Sequence, residues 1–158
     1  MRISSAVAGL VLLSSPLLAH AGKLSDATDR FTGLRSVSWS TVPSEPEAFT
    51  FNTYAYVPEK NVAWYVVELI TWADTAKYRN CNFVNWLIDG RRATELNAVY
   101  EPSYAGSATV ERFTIKGSRK AIETFATAKT VEYSVCGNEG VVSPEDLEGL
   151  RQVIAASE

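Results

Sequence analysis

The chain carries two cysteines, Cys81 and Cys136, so one intramolecular disulfide is the most it can form. Joining them closes a loop of roughly 55 residues, and in the chain-entropy account this restriction of the unfolded state contributes about 4 kcal/mol. A domain of ordinary size is stable by only roughly 5–15 kcal/mol, so any fold that brings the two positions within bridging distance gains a large advantage. The pairing is expected in an oxidising compartment. A reactive thiol pair is the alternative, and neither a C-x-x-C motif nor a histidine partner supports it.

The amino-terminal segment argues for such a compartment. Arg2 precedes the apolar run Ala6-Val-Ala-Gly-Leu-Val-Leu-Leu-Ser-Ser-Pro-Leu-Leu18, which is too short to span a bilayer as a helix. Ala19-His20-Ala21 then gives the small-x-small pattern of a signal-peptidase site, with Gly22 as the expected first mature residue. The reading is a cleaved signal peptide over residues 1–21 and a single globular domain over residues 22–158, located in the periplasm or outside the cell. No cysteine lies in or just after the apolar run, which argues against a lipid anchor.

Cleavage would also remove Arg2, Met1 and the only histidine, His20. The remaining 137 residues carry 14 basic and 18 acidic side chains, a net charge of −4. That length suits one hydrophobic core. A mildly acidic chain without a Lys or Arg run is a poor counterpart for nucleic acid or an anionic membrane. No later apolar stretch reaches spanning length, so no membrane span is expected after cleavage.

Alternation of apolar and polar residues predicts strands at 37–41, 49–57, 62–72, 83–88 and 109–115, with Asp89-Gly90 turning a hairpin into 91–96. Residues 62–72 are apolar at both parities and read as a central strand covered on both faces. Residues 100–106, with Pro102 and Gly106, read as a loop. The period then changes to a short helix after Ser118, returns to alternation at 130–136, turns at 137–140, and ends in a helix announced by Ser143-Pro144-Glu145-Asp146. The expected class is α+β: an antiparallel sheet of about five to seven strands with two helices near the C-terminus.

Without histidine, the mature chain cannot build a Ser-His-Asp or Cys-His site or offer imidazole to a metal. No phosphate-binding, dinucleotide-binding or nucleophile-elbow motif occurs, and no cofactor or metal is expected. Carboxylates remain. Glu68, mid-strand between apolar neighbours, could hold a raised pKa and act as a general acid, with Asp74 as a weak second carboxylate. The alternatives are a sheet-edge position or an arginine pair, with a residue such as Arg79 or Arg112, for Glu68, and turn capping for Asp74. Arg91 and Arg92 read as a solvated pair on opposite sides of a strand. Three or four of the four tryptophans are expected in the core, and Tyr54, Tyr56, Tyr100 and Tyr104 at the surface. Tyr54, Tyr56 and Tyr104 are the candidate binding residues.

The order Glu111-Arg-Phe, the Ser118 helix, Val131-Glu-Tyr-Ser-Val-Cys136-Gly-Asn-Glu139 and Ser143-Pro-Glu-Asp-Leu147 resembles small uncharacterised secreted bacterial proteins. The resemblance covers about the last third of the mature chain, implies a bacterial envelope location, and carries over no functional residue. Three functions follow as expectations. The first is a noncatalytic binding module of inhibitor or immunity type whose partner is another envelope or secreted protein. The second is a histidine-free carboxylate hydrolase acting on envelope glycans, and the third is a self-associating structural component of the envelope.

Overall fold

The computed structural model describes residues 22–158. The expected signal peptide, residues 1–21, lies outside the described residues. The chain from Gly22 onward is α+β, as the alternation predicts. Four strands run as an antiparallel meander: β1 (Lys23–Thr28), β2 (Arg35–Ser40), β3 (Thr50–Val57) and β4 (Trp64–Ala73). The chain then leaves for the short hairpin β5 (Asn85–Ile88) and β6 (Arg91–Arg92). It returns as the hairpin β7 (Val99–Ala105) and β8 (Ala108–Gly117), whose second strand pairs with β4. Helix α1 (Arg119–Ala126), strands β9 (Val131–Val135) and β10 (Asn138–Val141), and helix α2 (Pro144–Ala156) complete it.

Two sheets result, a six-stranded one in the order β1-β2-β3-β4-β8-β7 and a four-stranded one in the order β10-β9-β5-β6. Among the described residues one face of the large sheet enters the core, that of the odd-numbered residues of β2, β3, β4 and β8, through Val37, Phe51, Ala55, Val67, Leu69, Phe113 and Ile115. Against it pack Ile122 and Phe125 of α1, Leu147, Leu150 and Val153 of α2, and Trp86, Val131 and Val135 of the small sheet. The Phe125 ring centroid lies 5.8 Å from Phe51 and 5.2 Å from Trp86, so the helix ties the two sheets together. Neither helix is long and apolar enough to cross a membrane.

Cys81 and Cys136 are bonded, with Cα atoms 5.7 Å apart. The 74–84 loop that carries Cys81 has a second anchor. Glu111, fully buried on β8, accepts hydrogen bonds from the backbone N–H groups of Lys77 and Tyr78, each at 2.9 Å, and from the Tyr100 hydroxyl at 2.6 Å. Three donors satisfy a carboxylate that burial alone would penalise. Burial and then this carboxylate push the Tyr100 hydroxyl up to about 12.

Several expectations need correction. Residues 99–105 form a strand, not a loop; β7 is a sheet edge, where the N–H that Pro102 lacks is not needed for pairing. Residues 138–141 form β10, because the turn is Cys136-Gly137. Strand β4 is central but, among the described residues, covered on one face only. A second sheet and the polar edge strand β1 were not anticipated, and two tryptophans, Trp39 and Trp86, are buried rather than three or four.

Candidate functional site

The other face of the large sheet, that of the even-numbered residues of β2, β3, β4 and β8, carries no other layer among the described residues, and on it lie Tyr54, Tyr56 and Glu68. Alternation along β3 puts Tyr54 and Tyr56 on that face, and antiparallel register sets Trp64 of β4 opposite Tyr56. The three rings form a nearly parallel row: Tyr54 to Tyr56 at 6.4 Å and 13°, Tyr56 to Trp64 at 5.2 Å and 19°. Trp64 is 42 % exposed, an unusual position for an indole with no layer above it.

Two residues beyond Val66, Glu68 sits at the centre of the same face. Its cross-strand neighbours are Asn52 on β3 and Thr114 on β8. The Thr114 hydroxyl lies 3.4 Å from Glu68 Oε1 and 3.3 Å from Glu101 Oε2, and its one proton can serve one carboxylate at a time. Arg112, opposite Glu101 in the register, donates instead to the Ser103 hydroxyl. None of the ion pairs within 4.0 Å among the described residues includes Glu68, Glu101, Arg112 or Lys116. Burial holds the Glu68 carboxyl above its usual range, with Arg112, Thr114 and Lys116 pulling it back and Glu101 pushing it further. Tyr54 and Tyr56 are likewise raised by burial first and by the Glu68 charge second.

Farther along β4 the face turns apolar. Ile70 and Trp72, Ala108 and Val110 of β8, and Val42 and Pro43 of the β2–β3 connection enclose a groove of about 360 Å³. The Trp72 indole N–H donates to the Pro43 carbonyl at 3.3 Å, which holds this wall against the sheet. Along the direction of β4 the face therefore presents an aromatic row, a carboxylate centre and an apolar groove in sequence. Such a surface can bury apolar side chains and receive charge, the combination that anchors interfaces.

The other sequence candidates lie apart. Tyr104 is on β7 but on the opposite face, 78 % exposed beside Asp74, Arg79 and Thr109. Asp74 follows the end of β4, six residues from Glu68, which at strand rise is roughly 20 Å. That exceeds the separation of a glycosidase carboxylate pair, roughly 5–9.5 Å. The carboxylate that does approach Glu68 is Glu101, which sequence reasoning passed over because it fell in an assumed loop. Trp64, Trp72, Thr114 and Arg112 were missed as site residues too; their even parity along strands paired through β4 is the signal that could have found them. Among the described residues, no three His, Cys, Asp or Glu side chains come together in a way that could hold a metal ion. Comparisons with protein-family models, with curated proteins and with solved structures give no match.

Proposed function

We propose that this chain is an exported, noncatalytic binding module, of inhibitor or immunity type, whose recognition surface is the open face of the six-stranded sheet. The carrying observation is that Tyr54, Tyr56, Trp64, Glu68 and the Ile70–Trp72–Val110 groove share one face that no other described element covers. The disulfide, the secretory pattern before Gly22 and the resemblance to secreted bacterial proteins support placement of the partner in the same compartment. The test is capture from the producing cell's envelope and medium under nonreducing conditions, using protein expressed from the full-length chain. A stoichiometric partner should be retained by the wild type and by Tyr104→Ala, and lost with Tyr56→Ala/Trp64→Ala. Equal loss with both variants would remove the open face from the account, and the intact mass of the bait reports whether residues 1–21 are gone.

A second reading, glycan hydrolysis, gains one observation: Glu68 has a carboxylate neighbour in Glu101, joined through Thr114. Envelope polysaccharide cleaved by the wild type and not by Glu68→Gln or Glu101→Gln would establish it over the binding module.

A further inference from the structure

The carboxylate centre of the open face is short of donors. Glu68 and Glu101 share the single proton of Thr114, neither joins an ion pair, and Glu68 is half-buried. The two cations nearest to them stay out of contact. Arg112 is committed to Ser103, and Lys116 extends into solvent. Beside the carboxylates stand Tyr54 and Tyr56, whose ring faces favour a cation over an anion. The apolar groove begins two residues along β4 at Ile70 and ends at Trp72, roughly 13 Å from Glu68 by strand rise. An extended segment covers that distance between positions i and i+4. The chain as a whole is acidic, with a net charge of −3, so its long-range field draws basic partners and repels acidic ones.

Resting on the reading of this face as the recognition surface, we infer that its partner is a protein segment in extended conformation. That segment presents a lysine or arginine to Glu68 and Glu101 and an apolar side chain, four residues away, to the Ile70–Trp72–Val110 groove. The basic group supplies the donors that Thr114 cannot, and it replaces the water that burial has partly stripped from Glu68. Arg112 and Lys116 sharpen the choice, since they flank Thr114 on β8 between the two carboxylates and disfavour a segment carrying several basic residues in a row.

The test uses three capped nine-residue peptides in a serine-threonine background. One has Lys at position 3 and Leu at position 7, the second has Glu in place of Lys, and the third has Ser in place of Leu. Each is titrated into isotope-labelled protein expressed from the full-length chain, with amide and indole N–H signals followed by NMR. The Lys-Leu peptide should shift the Trp72 indole and the amides of β4 and β8, and should bind at least about fivefold more tightly than either control. Glu68→Gln/Glu101→Gln should remove that preference for Lys while leaving the protein folded. Equal binding of the Lys and Glu peptides, or a Lys preference that survives the double substitution, overturns the basic partner while leaving the face as the recognition surface. Peptide shifts confined to other surfaces, or no shifts at all, overturn the basic partner and remove support for the face. Concentration-dependent shifts of the face without peptide would assign it to a second copy of the chain and overturn the proposal.

Discussion

Cys136 occupies a backbone conformation that cysteine seldom adopts. Its φ is 52° and that of Gly137 is 83°, and the pair closes the β9–β10 hairpin between Val135 and Asn138. Positive φ at both central positions defines a type I′ turn, which favours Asn or Asp followed by Gly. Asp89-Gly90 is the same turn in the β5–β6 hairpin, at 49° and 74°, and its sequence announced it. Cys136 did not announce a turn, because its chemistry is set by Cys81 rather than by the local backbone. The expected consequence is measurable. Cys81→Ser/Cys136→Ser should lose about 2–4 kcal/mol relative to the oxidised protein. Cys81→Ser/Cys136→Asn should recover about 0.5–1 kcal/mol of that, since Asn tolerates the left-handed region. Denaturant titration of the two variants compares them directly, and equal midpoints would show that the turn conformation carries no local cost. Asp89, for its part, is more than a turn residue: its carboxylate accepts from the backbone N–H of Lys129 at 2.8 Å and of Thr130 at 2.9 Å, which fastens the hairpin to the start of β9.

Helix α2 shows how one element combines legible and illegible information. Its start was readable: Ser143 accepts from the Asp146 N–H at 3.0 Å, Pro144 occupies the first turn, and Glu145 and Asp146 sit where the helix dipole favours acids. Its packing was not. A Cβ on Gly149 would lie 2.1 Å from the Trp39 ring, and the Trp39 indole N–H donates to Asp146 at 3.0 Å, so the indole is pinned flat against the helix backbone. Gly149→Ala gains about 1 kcal/mol of intrinsic helix preference. Against a ring that cannot retreat it should nevertheless destabilise the protein by about 1–2 kcal/mol. Trp39→Leu should abolish most of that penalty in a double-mutant cycle, and additivity of the two changes would refute the contact. Alternation found β2, β3, β4 and β8 because each has one face in the core. It failed for β1, whose residues are exposed on both faces, and for β7, where an edge position tolerates Pro102. It also misread β4 as doubly covered. Val66 is only 6 % exposed on the open face because Tyr54 and Lys116 are its cross-strand neighbours, so an apolar parity there did not require a second layer.

At the scale of the molecule, the open face trades stability for a charged centre. The parity of Tyr54, Tyr56 and Glu68 was visible in the sequence, whereas the approach of Glu101 depends on a long-range pairing of β7 with β8 and β8 with β4 that no local pattern encodes. Burial raises the Glu68 carboxyl above its ordinary value of 4.5 in the folded state. Below pH 4.5 the group is protonated whether the chain is folded or not, and it has no effect on stability. As pH rises through 4.5 the unfolded chain releases its proton first, so stability falls until the folded carboxyl has ionised as well. Glu68→Gln lacks this loss. Its melting temperature should exceed that of the wild type by roughly 1–3 °C at pH 7, with the gap closing near pH 3.5. A lower melting temperature at pH 7 would mean that Asn52, Thr114 and Arg112 stabilise the charge more than burial opposes it. Binding should move the other way, because a partner's basic side chain interacts with the carboxylate and not with the amide. A substitution that makes the free protein more stable at neutral pH and the complex weaker is the signature of a group kept for recognition rather than for folding.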